Sequence, residues 1–178
     1  MNGRNSRICL NLHSPFEWRK SSNHIFIYAI FTFLLGACSS TVDYRQAYEA
    51  NSSASVNQLI SYAKSLIGTP YRFGGSTPSE GFDCSGFVAY VFKRSAGISL
   101  PHNSNQISRH GRMLRASQLR KGDLVFYNTG SQPNSHLGIY LGNNQFIHAP
   151  SSGGKVRIEN MNLSYWKKRY NGAKRISL

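Results

Sequence analysis

Apolar residues recur along the middle of the chain at helical spacing. Val56, Leu59, Ile60, Ala63, Leu66 and Ile67 fall three and four apart, which predicts an amphipathic helix, and Gly68-Thr69-Pro70 supplies the residues that end one. A second helix is predicted from Cys84, with Phe87, Val88, Val91 and Phe92 on one face and Gly97 past its end. Asp83 stands where a side chain can accept from the unpaired N–H groups of the first turn. Between the two helices, the glycines and prolines from Tyr71 to Phe82 predict a loop. Beyond residue 120 the pattern changes to short β-type runs, at Asp123–Tyr127, His136–Leu141, Gln145–Ala149, Lys155–Glu159 and Ala173–Leu178, parted by Gly, Asn, Pro and Ser. Helices first and antiparallel strands later predict one α+β domain over residues 56–178, with helices on one face of a sheet.

The first part of the chain has a different pattern. Residues 1–24 are polar and carry Arg4, Arg7, Arg19 and Lys20 against Glu17, and an apolar run then extends from Ile25 to Gly36. A helix of that length reaches about 18 Å, short of the roughly 30 Å hydrocarbon layer. A basic start, a short apolar stretch and small residues after it predict a secretory leader rather than a membrane span. Residues 39–55, rich in Ser, Ala, Asn and Gln, predict a flexible tether.

Composition narrows the possibilities further. With 178 residues, 40% of them hydrophobic and 16% charged, collagen-like, coiled-coil and wholly disordered chains are excluded. Lys and Arg number 21 against 7 Asp and Glu, a net charge of +14 that points to anionic partners. One basic cluster comprises Arg109, Arg112, Arg115, Arg120 and Lys121, and another Lys167, Lys168, Arg169, Lys174 and Arg175. Both read as solvated faces or as attraction to anionic phospholipid or acidic wall material. Export and the lack of a basic helix interleaved with stacking aromatics argue against nucleic acid. The three cysteines, Cys9, Cys38 and Cys84, are too scattered for a disulfide framework.

An unpaired Cys84 in an exported chain invites a chemical explanation. Its place in the first turn of a helix exposes it to unpaired N–H groups and the positive dipole end, which favour a thiolate; the plainer alternative is a small buried hydrophobe. His136 and His148 lie on neighbouring strands. His136, Gly138 and Tyr140 share a face, and His148 joins them only if the connecting hairpin is odd. A two-residue Asn143-Asn144 turn alone sets His148 opposite Ile139, whereas an extra residue, by a three-residue loop or a bulge, sets it opposite Gly138 and diagonal to His136. The catalytic reading therefore predicts such an irregularity, with Gly142 or an asparagine in the left-handed region. A Cys-His-His zinc site is the chemical competitor, but no fourth ligand is suggested. His102 and His110, in a polar stretch, read as solvated loop residues.

Two resemblances follow from these residues. Leu35-Gly36-Ala37-Cys38 resembles the lipobox of bacterial lipoproteins, in which the cysteine is lipidated and becomes the new N-terminus. That likeness implies a signal peptide over 1–37, a lipid-anchored tether over 38–55 and, from Ser39, sorting to the periplasmic face of the outer membrane. Processing would lower the net charge from +14 to +11.

The second resemblance spans most of the domain. Thr69-Pro70-Tyr71-Arg72-Phe73-Gly74-Gly75, Phe82-Asp83-Cys84-Ser85-Gly86-Phe87-Val88, Lys121-Gly122-Asp123-Leu124-Val125-Phe126, His136-Leu137-Gly138-Ile139-Tyr140 and Phe146-Ile147-His148-Ala149 resemble, in order, the NlpC-type cell-wall cysteine peptidases. Tyr165-Trp166-Lys167-Lys168-Arg169-Tyr170-Asn171 is similar to their lipoprotein murein DD-endopeptidase branch. The resemblance implies a papain-like fold, hydrolysis of murein stem peptides or their cross-links, and a monomer that needs no cofactor or metal. It implies Cys84 as nucleophile, His136 as base and acid, and His148 as the group that orients His136. Tyr71 would supply an oxyanion donor, and Asp83 and Ser85 substrate contacts. A murein-binding lipoprotein with an idle thiol is the alternative.

Overall fold

A computed structural model of the protein describes residues 23–151 and 154–178, with side chains from Tyr44 onward. The leader up to residue 22 and the Cys38 side chain lie outside what is described. Gln46–Leu178 form one compact unit, and among the described residues no helix is long and apolar enough to cross a membrane.

The first helix, α1 (Asn23–Ser65), begins far upstream of the predicted start. Residues 46–55, expected as part of a flexible tether, are therefore helical. Gln46, Ala47, Glu49 and Ala50 are good helix formers, and a turn already fixed by packing propagates at little cost even where its side chains are mostly exposed. Leu59, Ile60, Ala63 and Leu66 form the buried stripe, and Ile67, in the turn that follows, is half-exposed.

The expected loop contains a small hairpin, β1 (Ser76–Thr77) with β2 (Gly81–Phe82). It leads into α2 (Cys84–Ala96), closed by Gly97 at φ 70°, with Phe87, Val88, Val91 and Phe92 fully buried. After the short α3 (Ser104–Ile107) come β3 (Arg112–Leu114), β4 (Leu124–Tyr127), β5 (His136–Gly142), β6 (Gln145–His148), β7 (Arg157–Asn160), α4 (Ser164–Arg169) and β8 (Tyr170–Arg175). They build one sheet in the order β3-β8-β4-β5-β6-β7, every neighbouring pair antiparallel. The last strand starts at Tyr170 rather than Ala173, and an irregularity between Phe126 and Tyr127 absorbs Asn171.

Alternation along the strands divides the core. Leu124, Phe126, Leu137, Ile139 and Ile147 pack with α1 and α2 in one cluster, and Val125, Tyr127, Tyr140, Phe146, Trp166 and Ala173 make a second cluster with α4. Asp123, almost fully buried, is held by Arg175 through Nε at 2.7 Å and the terminal nitrogen at 2.8 Å. Arg175, partly exposed, is thus committed to a buried carboxylate rather than free on a solvated basic face.

The β5–β6 connection carries the predicted irregularity. Asn143 and Asn144 both adopt positive φ, a two-residue turn that pairs Gly142 with Gln145. The register then shifts at Leu141, so that Tyr140 meets Phe146 and Ile139 meets Ile147. The extra residue enters as a bulge, with Gly142 at φ 91°, a conformation that glycine adopts without a steric penalty. Continued by one step, this register sets Gly138 opposite His148.

Candidate active site

Asp83 organises the start of α2. Its Oδ1 accepts the Gly86 N–H at 2.7 Å and the Ser85 hydroxyl at 2.9 Å, and its Oδ2 accepts the Gly74 N–H at 3.0 Å. His102 Nε2 donates to both oxygens at 3.0 Å. One carboxylate thereby caps the helix, pins the glycine-rich loop against it and fixes an imidazole at the cleft. These four donors nearly fill its acceptor capacity. His102 is an exposed loop residue, as expected, but no local signal marked its bond to Asp83, because the chain returns to Asp83 only through the tertiary fold. His110 is exposed, as expected.

Cys84 opens the helix and lines a cleft of about 380 Å³ with Tyr71, Phe73, Asp83, Ser85 and His102. Phe73 is 89% exposed at its lip. The nearby backbone N–H groups of Leu137, Ser85 and Cys84 pull the thiol pKa down. Leu137 is the second residue of β5, next to His136, so the thiol stands near the start of that strand. Burial, aided by the negative charge of Asp83, nonetheless pushes the thiol up to about 11. Those causes outweigh the amide donors, so the helix tip alone does not generate a thiolate here. Tyr71 is likewise raised by burial and by its two acidic neighbours, Cys84 and Asp83.

His136 and His148 come together through the bulged register. His136 Nε2 and His148 Nδ1 share a buried hydrogen bond of 2.7 Å, with the rings near perpendicular. Gly138 permits this closeness, since a Cβ there would lie 2.7 Å from the Ile147 carbonyl oxygen and 3.1 Å from the His148 Cβ. Trp166 stacks on His136 at 5.5 Å and meets His148 edge-on at 5.0 Å. Burial lowers His136 to about 4 and drives His148 further down, aided by His136 and Arg157. Each ring spends one nitrogen on the other, so the pair does not converge on a single metal ion with the thiol. A second cleft, of about 360 Å³, lies against His136, Arg157, Tyr165 and Trp166. A third, lined by Tyr48, Val56, Arg120 and Leu178, holds neither thiol nor imidazole.

A thiol at a helix tip, set beside neighbouring strands that carry paired imidazoles, is the layout of a papain-like α+β fold. The chain belongs to the NlpC/P60 family, whose pattern matches residues 68–175. It is 49% identical over 109 residues to the murein DD-endopeptidase MepS/murein LD-carboxypeptidase of Escherichia coli, covering 61% of this chain and 56% of that protein. It is 47% identical over 123 residues to the probable peptidoglycan endopeptidase LytE of Bacillus subtilis, covering 69% of this chain and 35% of that one. The crystal structure of an NlpC/P60 family protein from Bacillus cereus matches with a TM-score of 0.65 at 34% identity, over 69% of this chain and 40% of the other. The chain thus spans from about a third to somewhat over half the length of these curated relatives.

Proposed function

We propose that the protein is a cysteine peptidase that hydrolyses peptide bonds in murein stem peptides or their cross-links. Cys84 is the nucleophile, His136 the base and then the acid, and His148 the group that orients His136. The observation that carries this is the joint placement of the Cys84 sulfur, near the Leu137 N–H at the start of β5, and the His136–His148 hydrogen bond at 2.7 Å.

The hydrogen bond dictates the tautomers. For His136 to receive the thiol proton on Nδ1, its Nε2–H must donate to His148 Nδ1, which leaves the His148 proton on Nε2. That buried nitrogen is one of the atoms without a protein partner among the described residues. With the thiol raised and the imidazole lowered, the resting pair is neutral, and the proton passes to His136 as sulfur attacks the carbonyl carbon. The Cys84 N–H, which has no acceptor within the helix, and the Tyr71 hydroxyl supply donors for the oxyanion. His136 returns the proton to the departing nitrogen, leaving a thioester. Water, deprotonated by His136, releases the acid and restores the thiol. Ser85 and Asp83 border the cleft that receives the stem peptide, Asp83 chiefly through the loop it fixes.

Digestion of purified murein by the wild type and by Cys84→Ser tests the assignment. Muropeptide release by the wild type that is lost in the variant is expected, and mass analysis of the products identifies the bond. Absence of release by either, with binding retained, leaves a murein-binding protein with an idle thiol. The proposal extends to lipidation of Cys38 and residence on the periplasmic face of the outer membrane, supported by Leu35-Gly36-Ala37-Cys38 and Ser39. Metabolic incorporation of a tagged fatty acid, abolished in Cys38→Ala and recovered in the outer-membrane fraction, checks it.

A further inference from the structure

We infer that the cleft beyond His136 binds the amine portion of the substrate, the part that departs when the bond breaks, and that Arg157 reads a free carboxylate on it. The inference rests on the proposed function and adds a subsite and a ligand chemistry to it.

The direction comes from the proton. His136 must deliver it to the nitrogen that leaves, so the atoms beyond that nitrogen continue on the imidazole side, while the acyl portion stays with the sulfur. The surface is divided in the same way. The cleft of about 380 Å³ contains Cys84 but not His136. The cleft of about 360 Å³ contains His136 but not Cys84. His136 thus stands as the partition between two spaces, one for each half of a severed amide.

The second space has a definite chemistry. Its apolar wall is Leu163, Tyr165 and Trp166, the first two about half-exposed. The Arg169 guanidinium lies 3.9 Å over the Tyr165 ring and steadies it. Arg157 is the one Lys or Arg of the lining. It sits on β7 directly across from His148. Its Nε donates to Glu159 at 2.7 Å, which fixes the plane of the guanidinium. Its two terminal nitrogens have no hydrogen-bond partner among the described residues. A planar fork held along one edge and open along the other presents paired donors of the kind a carboxylate accepts. A leaving amine with an aliphatic stem and a free carboxylate matches wall and fork together.

Matched synthetic peptides test this. Two share the acyl side and differ only in the leaving residue, which ends as a free carboxylate or as a primary amide. The wild type is expected to favour the acid over the amide by roughly tenfold in kcat/KM, the lower end for a charge-assisted hydrogen bond because Arg157 is half-exposed. In Arg157→Gln the ratio falls to about one, and Arg157→Lys retains part of the preference. As a ratio within one variant, it is insensitive to loss of folded protein. A preference that persists in Arg157→Gln, or a wild type that cleaves both peptides alike, overturns the inference while leaving the peptidase intact. A wild type that cleaves neither peptide nor murein overturns both.

Discussion

Burial places the proposed reacting groups of this site on unusual sides of neutrality, with His136 lowered to about 4 and Cys84 raised to about 11. His136 must be unprotonated to accept the thiol proton, so activity falls only as pH drops toward the lowered imidazole value. The acid limb of kcat/KM is therefore expected well below pH 6.5, with no loss at the alkaline end until about pH 10. A limb at the ordinary histidine value would show an imidazole that burial has not lowered, and a loss of activity at mildly alkaline pH a preformed thiolate–imidazolium pair, since kcat/KM reports the free enzyme. The tautomer argument makes a separate prediction. His148→Phe removes the acceptor of the His136 Nε2–H and lets the ring turn or carry its proton on the wrong nitrogen. By analogy with other orienting groups, kcat falls at least about a hundredfold. His148→Gln, which keeps an acceptor, recovers part of the rate, a difference that packing loss alone does not produce.

At the scale of elements, the site depends on one hairpin being irregular. A regular two-residue turn would point His148 at the helical face of the sheet, and the bulge at Leu141 turns it back. Gly138→Ala tests how tightly the two strands must approach. The added methyl meets the Ile147 carbonyl and the His148 Cβ, so we expect about 1–3 kcal/mol of destabilisation and a drop in kcat larger than the change in KM, measured by denaturant unfolding and initial rates. Much of this arrangement was legible in the sequence. The helical periodicity from Cys84, the caps at Asp83 and Gly97, and the requirement for an extra residue near Gly142 are local signals. The start of α1 was not legible, since Ser- and Asn-rich sequence reads as tether when the packed segment that propagates the helix is unknown. Nor was β3, because Arg112-Met113-Leu114 is too short and too exposed to alternate. His102 and Arg157 were missed for a different reason. Each acquires meaning only from a carboxylate or cleft supplied by distant sequence.

Across the whole molecule, the sheet is closed by chemistry near the chain end. Arg175, on β8, satisfies the buried Asp123 just before β4 and also donates to the Gln118 carbonyl at 2.9 Å, joining β8 to the segment that leads into β4, more than fifty residues earlier. Arg175→Met leaves that carboxylate without its cation and is expected to remove about 3 kcal/mol of stability, read as a lower denaturation midpoint, with kcat of the remaining folded enzyme nearly unchanged. Asp123 and Arg175 replaced together by apolar residues should recover much of the loss. If the two clefts take the two halves of the substrate as inferred, the order of events follows. A severed strand can drift out through one doorway while its partner is still moored to sulfur behind the other. Water then arrives by the vacated route at the same ring nitrogen that has just been emptied of its proton. Release in two instalments, amine before acid, follows from where a single imidazole stands.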